Sequence, residues 1–151
     1  NGLFDKIVKE IIAQDGHVDK FMGDAIMAVY RGDYHLDRAI DSALAIRTEL
    51  AKMDPITAGD KTFKAEVSVG INSGEMVSGN IGSASLRRLD YTVIGDSVNV
   101  AQRLQSVAKA GQIIITEQVH EKIKESFKSE LNGEFTLKNK EKPVITYAVI
   151  E

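Results

Sequence analysis

The chain has 151 residues, 43% of them hydrophobic and 27% charged, and is expected to form one domain, residues 1–151, around a sizeable core. A net charge of −3, with no Lys/Arg block longer than Arg87-Arg88, lacks the basic footprint of a protein that binds a nucleic-acid backbone. The absence of cysteine excludes a disulfide framework, a thiolate zinc site and a cysteine nucleophile together, a composition that fits a cytoplasmic protein.

No apolar run approaches the roughly 18 residues that span a bilayer, and the amino end lacks the apolar stretch of a signal peptide. Any membrane anchoring of a parent protein would rest on segments other than these.

Leu3, Phe4, Ile7, Val8, Ile11 and Ile12 recur at helical spacing with Gly16 as a stop, so residues 2–14 read as an amphipathic helix. A domain that opens on such a helix, with no cap or strand ahead of it, is expected to be truncated at its amino end. His17 to Lys20 and Ala25 to Tyr30 read as two strands around a Gly23-Asp24 turn, which places Asp24 at the hairpin tip. Leu36 to Met53 carries the apolar pattern of a long helix, ended by Asp54-Pro55, and residues 55–62 read as a surface loop.

Ala65, Val67, Val69 and Ile71 alternate with polar residues as in a strand, and Glu75 to Ile81 reads as its partner or as a glycine-rich connection. After a polar loop at 83–87, Leu89 to Ile94 is a strand that feeds a helix running to about Ala108, with Asp96 or Ser97 as its cap. Gln112 to Thr116 then reads as a buried strand and Glu117 to Phe127 as a helix starting at Thr116 or Glu117. Phe135 to Leu137 with Ile145 to Ile150 makes a terminal hairpin. Interleaved helices and mainly antiparallel strands predict an α+β fold, one sheet with helices on one face.

The stretch that carries most chemistry is Tyr91-Thr92-Val93-Ile94-Gly95-Asp96-Ser97-Val98-Asn99-Val100-Ala101-Gln102-Arg103. Asn99 and Arg103 are one helical turn apart and so leave the same face; an amide beside a guanidinium suits a sugar phosphate. His17, His35 and His120 are scattered without metal-ligand spacing and read as surface or edge residues. Gly79-Asn80-Ile81-Gly82 lacks the Lys-Ser/Thr that would follow in a P-loop.

This stretch resembles the signature helix of the class III nucleotide cyclases, the adenylyl and guanylyl cyclases. Gly16-His17-Val18-Asp19-Lys20-Phe21-Met22-Gly23-Asp24-Ala25 and Val69-Gly70-Ile71-Asn72-Ser73-Gly74-Glu75, running on to Gly79-Asn80-Ile81-Gly82, match the same family in order and spacing. The resemblance runs through nearly the whole chain. It implies a ferredoxin-like or palm-like antiparallel sheet with packed helices, its amino-terminal strand missing.

For function, the resemblance implies an adenylyl cyclase domain of the threonine-type bacterial subgroup, converting ATP to 3′,5′-cyclic AMP and pyrophosphate with two Mg²⁺ or Mn²⁺ ions. Asp24 would bind metal, partnered by a second aspartate on a strand lying before residue 1; without that aspartate this chain is expected to turn over slowly or not at all. Lys20 and Thr92 would read the base. An ammonium donates to a ring nitrogen of adenine and a threonine oxygen accepts from its amine, whereas guanine presents the reverse polarity at the second position. Asn99 would orient the ribose, and Arg103 would meet the α-phosphate with a planar, always-charged fork.

In the family the metal aspartates and the base-reading residues of one site come from opposite subunits of a head-to-tail homodimer, and an upstream sensory or regulatory domain is expected in the parent signalling protein. Relatives often carry a lysine before the last Thr-Tyr pair to hold the triphosphate. Here Ile145 precedes Thr146-Tyr147, so that contact is missing or shifted to Lys140 or Lys142. The alternative is a non-catalytic cyclase-homology module used for dimerisation or nucleotide binding. A diguanylate cyclase is disfavoured, since no Gly-Gly-Asp/Glu-Glu-Phe hairpin is present.

Overall fold

The structure, a computed structural model, is described for residues 2–74, 77–81, 90–136 and 142–151. Its elements are α1 (Gly2–Ala13), β1 (His17–Met22), β2 (Ala25–Val29), α2 (His35–Ala51), β3 (Ile56–Ala58), β4 (Lys61–Phe63), β5 (Val69–Ile71), β6 (Val77–Ile81) and β7 (Asp90–Ile94). They continue with α3 (Asp96–Val107), β8 (Ile113–Thr116), α4 (Glu117–Ile123), β9 (Ser129–Phe135) and β10 (Val144–Val149). The expected loop at 83–87, together with Glu75, Gly82, Arg87, Arg88, Leu89, Leu137 and Lys140, lies outside the described residues.

A four-stranded sheet in the order β5-β8-β10-β9 forms the centre. β8 pairs parallel with β5 and antiparallel with β10, which pairs antiparallel with β9, so the sheet is mixed. The α+β class holds, but the helices do not share one face. Ile113 and Ile115 of β8 pack with Leu36, Ile40 and Ala43 of α2 and Val119 and Ile123 of α4, whereas Ile114 packs on the other side with Val100 and Leu104 of α3. A strand covered on both faces carries a continuous apolar run rather than an alternation, and Ile113-Ile114-Ile115 is such a run, all three buried. Two layers of helix therefore enclose the sheet.

A second cluster joins Ile7 and Ile11 of α1 to Ile46 and Leu50 of α2, with Val18 of β1 and Ile26 and Ala28 of β2 packed against it. This seats the β1–β2 hairpin on the helices. Arg38 ties the same corner together: its Nε donates to the Asp33 carbonyl at 3.0 Å and one terminal nitrogen to the Gln14 carbonyl at 3.1 Å, while the other donates to the Arg31 carbonyl. The end of α1 and the connection into α2 thus share one guanidinium.

Several boundaries differ from the sequence reading. Residues 55–62 are not plain loop: Ile56–Ala58 pairs with Lys61–Phe63 around Gly59-Asp60, with Gly59 at φ 64°. It is the same dipeptide that turns the first hairpin, where Gly23 has φ 63° and Asp24 does not share it, as a II′ turn requires. α4 stops at Ile123, and β9 begins at Ser129, earlier than the Phe135 start expected, because its mostly exposed residues show no apolar alternation. Neither Asp96 nor Ser97 caps α3; the N-cap is Gly95, at φ 150° and without a side-chain bond. Asp96 sits in the first turn, where a carboxylate complements the helix dipole.

Candidate active site

The expected site residues fall on three neighbouring elements. Lys20 lies on β1 and Asp24 in the two-residue turn that ends it, both exposed. Thr92 is the central residue of β7, opposite Gly79 of β6, and β1 and β7 approach within 8 Å between α-carbons. Asn99 and Arg103 are exposed on α3, which starts one residue after β7 ends. The strand bearing Lys20 is thus brought beside the strand bearing Thr92, and the helix bearing Asn99 and Arg103 springs from the end of that second strand.

The β1–β2 ladder has a register shift between Val18 and Lys20, so the irregularity falls at Asp19. Such a bulge re-aims a side chain that would otherwise alternate across the strand. Asp19 is turned inward, its side chain only 1% exposed, and its Oδ2 lies 3.9 Å from Lys20 Nζ, whose side chain is 42% exposed. The motif reading did not anticipate that Asp19 buries its carboxyl group beside the lysine. The Asp-Lys pair alone gives no warning of it, because neighbouring strand residues ordinarily face opposite ways.

α3 lies close against β5. A Cβ placed on Gly70 would meet the Ala101 carbonyl oxygen at 2.5 Å and Leu104 Cβ at 2.8 Å, besides the Gln105 amide nitrogen. Strand and helix backbones touch there because residue 70 has no side chain. Gln105 Nε2 donates to Ser68 Oγ at 3.1 Å, which fastens the second half of the helix to the same segment. Arg103 projects from the exposed side, its guanidinium carbon 6.0 Å from the centre of the Phe135 ring.

For a divalent cation, Asp24 offers one exposed carboxylate, a hard oxygen donor of the type Mg²⁺ and Mn²⁺ take. Among the described residues no group of three His, Cys, Asp or Glu converges, so Asp24 fits as part of a ligand set rather than a whole one. Ile145 lies half-buried on β10 opposite Glu134, where no lysine stands, and Lys142 is exposed just ahead of that strand. Of the histidines, His35 Nε2 lies 2.9 Å from Ser73 Oγ, and His120 stacks on Tyr147 with ring centres 3.8 Å apart. No helix among the described residues is long and apolar enough to cross a membrane.

The fold recurs in known proteins. The adenylyl cyclase CyaB of P. aeruginosa superposes with a TM-score of 0.84 at 30% identity, over 100% of this chain and 80% of that one. The guanylate cyclase domain of RhGC from Catenaria anguillulae, solved in complex with GTP, gives 0.82 at 26% identity, over 99% and 80%. In sequence, an adenylate cyclase of Anabaena cylindrica is 35% identical over 150 residues, 93% of this chain and 29% of that protein. An uncharacterised protein of Mycobacterium tuberculosis is 34% identical over 110 residues, 73% of this chain. The chain spans 19% of that mycobacterial protein, a small part of the relatives' length. The profile of the adenylate and guanylate cyclase catalytic domain matches residues 1–151, and the chain therefore belongs to that family of class III nucleotide cyclase domains.

Proposed function

We propose that this chain is an adenylyl cyclase domain that converts ATP to 3′,5′-cyclic AMP and pyrophosphate at a site formed between two copies arranged head to tail. The observation that carries the reading is the single exposed face on which Asn99 and Arg103 stand one turn apart, on a helix leading directly out of the Thr92 strand. In the reaction the ribose O3′ gives up its proton to solvent water and forms a bond to the α-phosphorus. The bond from that phosphorus to the bridging oxygen breaks, and pyrophosphate leaves with the electron pair.

Each residue has a task in that displacement. Arg103 places its fork against the non-bridging oxygens of the α-phosphate, where negative charge builds, and Asn99 holds the ribose so that O3′ stays in line. Lys20 donates to a ring nitrogen of the purine, with Asp19 beside it restraining its ammonium. Thr92 accepts from the exocyclic amine of adenine. Asp24 would hold a divalent ion, which supplies charge neutralisation on the phosphates and acidifies a bound hydroxyl.

The reading is tested by incubating the full-length protein with ATP or GTP and Mn²⁺ and identifying the product. Cyclic AMP is expected as the main product; no cyclic nucleotide from a dimeric protein would favour a nucleotide-binding or dimerisation module instead. Thr92→Ala removes one neutral hydrogen bond, about 0.5–1.5 kcal/mol, and should lower the ATP/GTP ratio of kcat/KM by about twofold to thirteenfold. An unchanged ratio would remove Thr92 from base reading.

A further inference from the structure

Immediately beyond β5, Asn72 uses both ends of its side-chain amide. Nδ2 donates to the backbone carbonyl of Ser97 at 3.1 Å, and Oδ1 accepts from Thr116 Oγ1 at 3.1 Å. Thr116 is the last residue of β8 and the N-cap of α4, where the same Oγ1 accepts from the Val119 amide at 3.3 Å. Chemistry fixes the orientation of the Asn72 amide: the Ser97 carbonyl can only accept, so the NH₂ group must face it, leaving the oxygen for the threonine hydroxyl proton.

Ser97 is the second residue of α3, so the bond grips that helix in its first turn, two residues before Asn99 and six before Arg103. The neighbours of Asn72 reinforce the grip. Ser97 Oγ occupies the space a Cβ on Gly74 would need, and Ser73 Oγ pairs with His35 Nε2 of α2 at 2.9 Å. Farther along, α3 touches β5 through Gly70 and is tied by the Gln105–Ser68 bond. Without Asn72 the amino end of the helix could rock about those contacts, moving the face that carries Asn99 and Arg103.

We infer that Asn72 is a positioning residue for the cyclase reaction: bonded to Ser97 and Thr116, it sets the height and rotation of α3 and thereby the aim of Asn99 and Arg103. This rests on the reading that Arg103 meets the reacting phosphate. Asn72 itself is assigned no contact with substrate.

In the full-length protein Asn72→Ala should lower kcat by about 10–10²-fold, with KM for ATP changed about twofold or less, because a misplaced group far from the substrate costs most in the transition state. Asn72→Asp keeps the shape and the bond to Thr116 but sets a carboxylate oxygen against the Ser97 carbonyl, so it should be no better than alanine. Full activity in Asn72→Asp would reduce residue 72 to a space filler and overturn the inference.

The double variant separates this claim from the one beneath it. In an Arg103→Ala background, Asn72→Ala should cost about twofold or less, since residues acting as a unit are not additive. The same 10–10²-fold loss in both backgrounds, or none in the first, overturns the positioning role. An Arg103→Ala protein with undiminished turnover would instead contradict the function proposed above. Amide hydrogen exchange then decides for Asn72 alone: residues 98–103 should exchange about tenfold faster in Asn72→Ala, with β8 unchanged, and equal exchange would overturn the inference.

Discussion

Arg103→Ala is expected to reduce kcat for cyclic nucleotide formation by about 10²–10³-fold while leaving the melting temperature within about 2 °C of the parent. The two halves of that expectation come from different parts of the structure. Arg103 is exposed, and its guanidinium carbon lies 6.0 Å from the centre of the Phe135 ring, at the limit of a useful cation–π approach and worth about 0.5–1 kcal/mol in water. Removing it therefore costs the fold little. Its proposed work is on charge that accumulates on the α-phosphate in the transition state, where a preorganised fork acts strongly. Arg103→Lys keeps the charge but loses the two-point geometry, so it should recover only part of the loss. A parallel fall in activity and melting temperature would show that Arg103 supports structure instead, and unchanged turnover would remove it from the chemistry.

Gly70→Ala should damage both stability and turnover. The added methyl would meet backbone atoms of Ala101 and Gln105, which cannot rotate away as a side-chain tip could, as well as Leu104 Cβ. α3 must then shift off the sheet, although Val100 and Leu104 on its inner face are buried against Ile114 and Ala148. Overpacking of this kind costs about 1–3 kcal/mol, a fall of about 2–10 °C for a domain of this size. The same shift carries Asn99 and Arg103 with it, so kcat should drop by at least about tenfold. Gly2→Ala is the control, since nothing lies within 4 Å of a Cβ there. A Gly70→Ala protein that melts with the parent would contradict the close seating of α3 on β5.

The sequence made some of this legible and hid the rest for identifiable reasons. α1, α2 and α3 present apolar stripes toward the core, and the stripes are readable because burial is one-sided. β8 shows as an unbroken apolar run, but that run alone does not say that α3 covers its second face; only the packing of Ile114 against Leu104 does. β3, β4 and β9 lie where most side chains are exposed, so burial imposes no alternation on them. For β3 and β4 the Gly59-Asp60 turn was the available signal, identical to the one at Gly23-Asp24.

The site divides in the same way. Lys20, Asp24, Thr92, Asn99 and Arg103 were recognisable because they sit in motifs shared with class III cyclases, and the structure places them on adjoining elements. Asn72 and Asp19 were not singled out. The bond from Asn72 to Ser97 spans 25 positions of sequence with no periodicity to announce it, and Asp19 turns inward only because the ladder slips beside it. The glycine at 70 within a strand pattern was a readable hint of close backbone approach, without saying which element approaches.

A mixing experiment tests most directly whether a site is assembled from two copies. Asp24→Ala removes the proposed metal ligand and Arg103→Ala the proposed phosphate fork, so each full-length variant alone should be nearly inactive. If Asp24 of one copy works with Arg103 of its mate, heterodimers regain one intact site of two. Mixing equal amounts and allowing exchange should then restore up to about a quarter of parental cyclic AMP formation, from half the dimers with one site each. A mixture as inactive as its components, with heterodimers demonstrably formed, would contradict the account.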